Sequence, residues 1–161
     1  MRKIAVLIML LASALGHAAA EGDAAPLFTL PSLDDSEVYS LAPGKVIYLD
    51  FWASWCAPCR VSFPEVIALQ NEMGSDRFEV IAVTVDENRA AAIRFLRHHD
   101  VPYQILSDTD GVVAGQYALP GMPTSFVIDQ KGSISLRHSG FKPGDMTSIR
   151  RRIQELLGAP L

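Results

Sequence analysis

The sequence predicts one α/β domain in which a central sheet is flanked by helices, and three features predict it. Val46 to Trp52 and Phe78 to Val85 are near-continuous apolar runs, the pattern of core strands. Each leads into a stretch of helical spacing, 57–73 after the first and 87–99 after the second. Near the C-terminus, Met146, Ile149, Ile153, Leu156 and Leu157 fall on one face of a closing helix. There is no internal repeat, low-complexity segment or second domain.

Taken in order, Arg2-Lys3 is a basic n-region, Ile4 to Leu15 an apolar h-region, and Ala18-Ala19-Ala20 a small-residue cleavage pattern. A spanning helix needs about 20 apolar residues, and this run breaks earlier, at Gly16-His17. Residues 1–20 therefore read as a cleavable secretory signal and 21–161 as the domain, with no membrane span left after cleavage and the periplasm as destination. No cysteine near the cut offers a lipid attachment point. Glu21 to Ala25 reads as a flexible leader. Leu27 to Leu30 and Val38 to Leu41 flank a polar turn, Ser32 to Glu37, and predict a β-hairpin. Pro43-Gly44 is a turn, and the central strand follows from Lys45 to Trp52. A short Ser54-Trp55 link then opens the helix 57–73, with Ser54 placed to cap it, Pro64 inside and Gly74 at its end.

Phe78 to Val85 is the second core strand. The helix 87–99 turns Ile93 and Leu96 inward and Arg89, Arg94 and Arg97 outward. Tyr103 to Leu106 predicts a short strand, Gly111 to Tyr117 a short helix, and 124–129 with 133–138 a hairpin through Gln130-Lys131-Gly132. The last helix starts near Asp145, a good N-cap.

The chain's two cysteines form Cys56-Ala57-Pro58-Cys59, entered from a strand and lying in the first turn of a helix. That setting points to a redox motif. Positions i and i+3 share a helix face, close enough for the sulfurs to bond. The helix N-terminus favours thiolate over thiol, and Pro58 gives up only an N–H that the first turn leaves unpaired. A bridge across so small a loop gains little from chain entropy, so the spacing suits redox cycling better than stapling. Cys56, nearest the helix terminus, is the expected nucleophile, with Cys59 tucked behind it as the resolving thiol. Asp50 sits inside the apolar run, where lost hydration raises a carboxyl pKa; it is a candidate to take the proton from Cys59. Removing Arg2 and Lys3 with the signal takes the formal net charge from −4 to −6. An acidic, unpatterned surface argues against nucleic acid.

The segment Trp52-Ala53-Ser54-Trp55-Cys56-Ala57-Pro58-Cys59-Arg60, together with Gly121-Met122-Pro123-Thr124, resembles the active site of the thioredoxin superfamily. It looks most like the exported TlpA/ResA-like thiol-disulfide oxidoreductases, over a match running from about Pro26 to the C-terminus. The resemblance implies a thioredoxin-like fold, with a central mixed β-sheet, an N-terminal β-hairpin and a strand-helix insert between Asp86 and Met122. It also implies a disulfide reductase with no cofactor, whose redox-active disulfide joins Cys56 and Cys59. Met122-Pro123 would be a cis peptide facing that dithiol, with Trp55, Met122, Pro123 and Thr124 contacting substrate. Clients would be exported proteins with disulfides, apocytochrome c among the family's known ones, and electrons would come from a membrane thiol donor. A monomer is expected. Asp50 matches the buried aspartate of ordinary thioredoxins, whereas the glutamate that ResA-like proteins carry three residues after the second cysteine is here Ser62. A disulfide oxidase or isomerase is the nearest alternative, since Ala57-Pro58 does not set the potential. A copper chaperone using both thiols is a further one, disfavoured by the two-residue spacing. His98-His99 and His138 lie far from the thiols and lack metal-site spacing, so no metal is expected. Arg150-Arg151-Arg152, between Ile149 and Ile153, reads as a solvated helix face.

Overall fold

The computed structural model describes residues 18–158; most of the expected signal segment, 1–17, lies outside the described residues. The sheet has five strands, β3 (Val46–Trp52), β4 (Phe78–Thr84), β5 (Gln104–Ser107), β6 (Thr124–Ile128) and β7 (Ile134–Ser139), after a hairpin of β1 (Thr29–Pro31) and β2 (Val38–Ser40). Their order across the sheet is β5-β4-β3-β6-β7. The β5, β4 and β3 strands run parallel, and β6 and β7 are antiparallel additions, so the sheet is mixed. Among the described residues four helices pack on it: α1 (Ala57–Met73), α2 (Arg89–Leu96), α3 (Val112–Gln116) and α4 (Asp145–Leu157).

Every residue of β3 is buried, which explains its apolar run. Alternation then sorts its side chains between two layers. Ile47, Leu49 and Phe51 join Phe126, Ile81, Val83 and Tyr117 beneath α3 and the hairpin. Val46 and Tyr48 meet Val66 and Leu69 of α1 and Met146, Ile149 and Ile153 of α4, while Trp52 meets Cys59 and Phe63. Each of these large side chains contributes about 1.5–3 kcal/mol by leaving water.

The N-terminal segment departs from the expected flexible leader. Gly22 and Ala25 donate backbone hydrogen bonds to Ile134 and Gly132 (both 2.8 Å), and Ile134 donates to Asp23 (2.8 Å). Ala24 bridges Ser133, and Arg137 donates to the Ala19 carbonyl. The chain then crosses the α3-side layer, where the Tyr117 hydroxyl donates to the Pro26 carbonyl (2.8 Å). It reaches the opposite edge of the sheet, where Leu33 donates to Ile105 (2.8 Å) and Ser32 bridges Leu106. Edge amides and the small buried Ala25 side chain hold this segment down.

Smaller departures have local causes. The α2 helix is shorter than the expected 87–99, capped by Asn88, whose side chain accepts from Ala90. Ala92 rather than Ile93 faces inward; Ile93 is 41% exposed. Gly144, not Asp145, is the N-cap of α4, and Asp145 instead accepts from Lys142 and His138. In the arginine run, Arg150 pairs with Glu72 and Arg152 with Glu155, leaving exposed Arg151 to solvent.

Candidate active site

The site forms where β3 ends and α1 begins. Cys56 is itself the N-cap of α1: its extended backbone (φ −82°, ψ 109°) lets Sγ accept from the Cys59 N–H at 3.2 Å. The expected cap, Ser54, is engaged elsewhere. Its N–H and hydroxyl donate to the two carboxylate oxygens of Asp86 at 2.8 and 2.7 Å, and Thr84 Oγ1 donates to the same carboxylate (2.8 Å). Asp86 thus clamps the Ser54-Trp55 link from the end of β4. Sequence reading missed it; the available signal was a carboxylate directly after a buried parallel strand, the end of a sheet where sites collect.

Cys56 and Cys59 are joined by a disulfide, with Cα atoms 5.3 Å apart. Both sulfurs are buried, Cys56 keeping 4% of its surface and Cys59 none. Trp55 stands beside them 67% exposed. On the other side, Met122 packs against the cluster that contains both cysteines, Trp52 and Phe63. The Met122–Pro123 peptide is cis. Pro123 is buried, its carbonyl accepting from Gly140, and fully buried Thr124 donates its hydroxyl to the Gly121 carbonyl.

Asp50 is one strand residue pair back from Trp52, in register with Ala82 and Ser125 and on the β3 face that α1 covers with Cys59 and Phe63. It is 1% exposed, and Oδ2 has no hydrogen-bond partner among the described residues. Burial pushes its pKa up to about 7. The Tyr48 and Tyr103 hydroxyls are raised too, first by burial and then by the Asp50 charge. Ser62, at the position of the family glutamate, is buried and donates back to the Cys59 carbonyl. The remaining candidates are dispersed or differently engaged. His138 bonds Asp145 at 3.0 Å, and His98 and His99 sit in a cleft with Arg60 and Arg94.

This arrangement can carry thiol–disulfide exchange: a bonded sulfur pair and a carboxyl that titrates near neutrality. Comparison with known proteins agrees. A family model described as Redoxin matches residues 20–152. The chain belongs to the redoxin family. Within it, this redoxin is 32% identical over 115 residues to the thiol-disulfide oxidoreductase ResA of Bacillus subtilis, an alignment covering 71% of this chain and 64% of ResA, just under two thirds. It is 39% identical over 125 residues to the thioredoxin-like protein YneN of the same species, covering 74% of this chain and 72% of YneN. A candidate thiol:disulfide interchange protein DsbE from Chlorobium tepidum superposes with a TM-score of 0.83 at 39% identity, over 88% of this chain and all of that one. These likenesses place the redoxin on the ResA/TlpA-like side of the thioredoxin superfamily, with its fold. Among the described residues, no helix is long and apolar enough to cross a membrane.

Proposed function

We propose that this redoxin is a periplasmic thiol-disulfide oxidoreductase that reduces disulfides in other exported proteins. The observation that carries the reading is the bonded pair itself, Cys56 4% exposed beside exposed Trp55 and Cys59 fully buried on the sheet face that also holds Asp50, whose pKa is near 7. In the reduced protein the Cys56 thiolate attacks a client disulfide. A mixed disulfide forms and one client sulfur leaves as a thiolate that takes a proton. Asp50 accepts the Cys59 proton, Cys59 attacks Cys56 Sγ, and the second client thiol departs. Two electrons and two protons have then passed to the client, and the protein is left with the bond seen here. A membrane thiol donor restores the dithiol.

Trp55 and Met122 line the client's path, with buried Pro123 and Thr124 supporting the loop from behind rather than touching the client as the resemblance implied. Exposed Trp55 offers an apolar face, and Pro123, having no N–H, leaves Met122 to pair with an extended client segment. Residues 1–20 act as the export signal and 21–161 as the domain, working as a monomer; apocytochrome c is one client class. Likeness to ResA supports the chemistry, and the basic, apolar, small-residue order of the first twenty residues supports export.

Two measurements test this. Equilibration with glutathione buffers gives a reducing potential, near the thioredoxin end of about −270 mV; a value near −120 mV replaces the reductase reading with an oxidase. Cys59→Ser traps client proteins as mixed disulfides in periplasmic extracts. Equal trapping by Cys56→Ser overturns the assignment of roles.

A further inference from the structure

Beside the dithiol lies a cleft of about 420 Å³ lined by Ser54, Arg60, Arg94, Phe95, His98 and His99. It contains no carboxylate, on a chain whose acidic residues outnumber its lysines and arginines. Four cations elsewhere are answered by acids, Lys45 by Glu79, Arg89 by Asp35, Arg150 by Glu72 and Arg152 by Glu155, and Arg137 by backbone carbonyls. Arg60 gives one N–H to the Ser54 carbonyl (3.0 Å) and lies over the Phe95 ring at 5.4 Å, but meets no acid among the described residues. The side chains of Arg94 and His98 have no hydrogen-bond or ion-pair partner among the described residues.

The dipole of α2 accounts for Arg94 in its last turn, where a cation is favoured. It does not account for Arg60, which stands in the first turn of α1, the end that favours anions. Two guanidinium groups from different helices therefore converge, one of them against its own helix dipole, on an aromatic floor that fixes Arg60. The cleft shares Ser54 and Arg60 with the loop that carries Cys56. The cleft therefore adjoins the segment that carries the dithiol.

We propose that this cleft binds an acidic segment of the client polypeptide, flanking the disulfide under attack, and so selects clients with Asp or Glu near their cysteines. The inference rests on the reductase reading and deepens it with a substrate class. Arginine pairs carboxylates through its planar fork, and a cationic cleft raises the rate of encounter with an anionic partner.

The test uses the full mature chain, reduced beforehand and freed of reductant. The protein's own dithiol then supplies the two electrons and two protons, closing to the Cys56–Cys59 disulfide as the peptide disulfide opens. Two peptides with the same internal disulfide are compared, one flanked by Asp and Glu and one by Asn and Gln. At low salt the acidic peptide is reduced faster by about fivefold to tenfold. That ratio falls toward one in Arg94→Glu and at high ionic strength, and stays at its original value in Arg151→Glu on the far α4 helix. Equal rates for the two peptides, or a ratio that survives Arg94→Glu, overturn the cleft proposal alone. A preference seen only with a small anionic disulfide such as glutathione disulfide overturns the polypeptide assignment. Reduction of neither peptide overturns the reductase reading, and this one with it.

Discussion

Replacing Asp50 by asparagine keeps the shape of a fully buried side chain and removes its charge. In the folded protein the carboxyl titrates at about 7, against a reference of 3.8, and burial is the cause. Because the folded pKa is raised, the protonated form is the one that folding favours. Stability from this group is fully present below pH 3.8 and is lost as the pH rises through 7. A shift of about three pH units at 1.36 kcal/mol each makes the ionised carboxylate cost roughly 4 kcal/mol at pH 8. The asparagine amide is itself buried and costs about 1–3 kcal/mol. Asp50→Asn should therefore gain about 1–3 kcal/mol over the parent at pH 8 and lose about 1–3 kcal/mol to it near pH 4, where the parent's carboxyl is protonated. Urea unfolding of the oxidised protein at several pH values measures this directly. The same variant should slow the attack of Cys59 on the mixed disulfide by at least about tenfold at pH 7, with the attack of Cys56 less affected. Stopped-flow kinetics separates the two steps. Parallel stability curves for variant and parent would show that the carboxyl does not ionise at a cost. An unchanged resolution rate across the pH range would leave Asp50 a structural residue only.

Asp86→Ala orphans the Ser54 N–H and hydroxyl and the Thr84 hydroxyl; it should cost roughly 3 kcal/mol in denaturant unfolding and lower kcat/KM by loosening the link that presents Cys56. A chain starting at Pro26 should lose about 2–4 kcal/mol relative to one starting at Glu21, since three edge hydrogen bonds and buried Ala25 go, while the reactivity of the dithiol stays the same. Tyr117→Phe leaves the ring stack with Phe51 and Phe126 intact but strands the Pro26 carbonyl; a thermal melt should show a loss of about 1–2 kcal/mol.

The strands and helices that carry the dithiol were legible because their signals are local. A run such as Val46 to Trp52 is apolar throughout because it is buried on both faces, and the α1 boundaries follow from Pro58 and Gly74. What escaped depends on partners distant in sequence. Glu21 to Ala25 has too little pattern to announce a strand, and it is ordered only by the unpaired β7 edge it meets. Ser54 has the chemistry of a cap, but a buried carboxylate 32 residues away offers it stronger, charge-assisted bonds, leaving the cap to the Cys56 sulfur. Ile93 looked like core by spacing, yet α2 turns Ala92, Phe95 and Leu96 toward the cluster and leaves Ile93 41% exposed. His98 and His99 lie far from the thiols in sequence, and only the packing of the chain after α2 against α1 sets them beside Arg60.

The N-terminal segment, strapped across the sheet from β7 to β5, also fixes the order in which the fold can be completed. Glu21 leaves the ribosome among the first residues of the domain, but its partner Arg137 lies 116 residues later. Until β7 has emerged, whether from the ribosome or from a translocation pore, one end of the strap has nothing to hold. Closing so long a loop is entropically slow to repay, and both outer strands stay open to foreign pairing in the interval. The nascent chain is therefore most vulnerable to aggregation just before its last hairpin arrives, and a holding chaperone would serve it best at that moment.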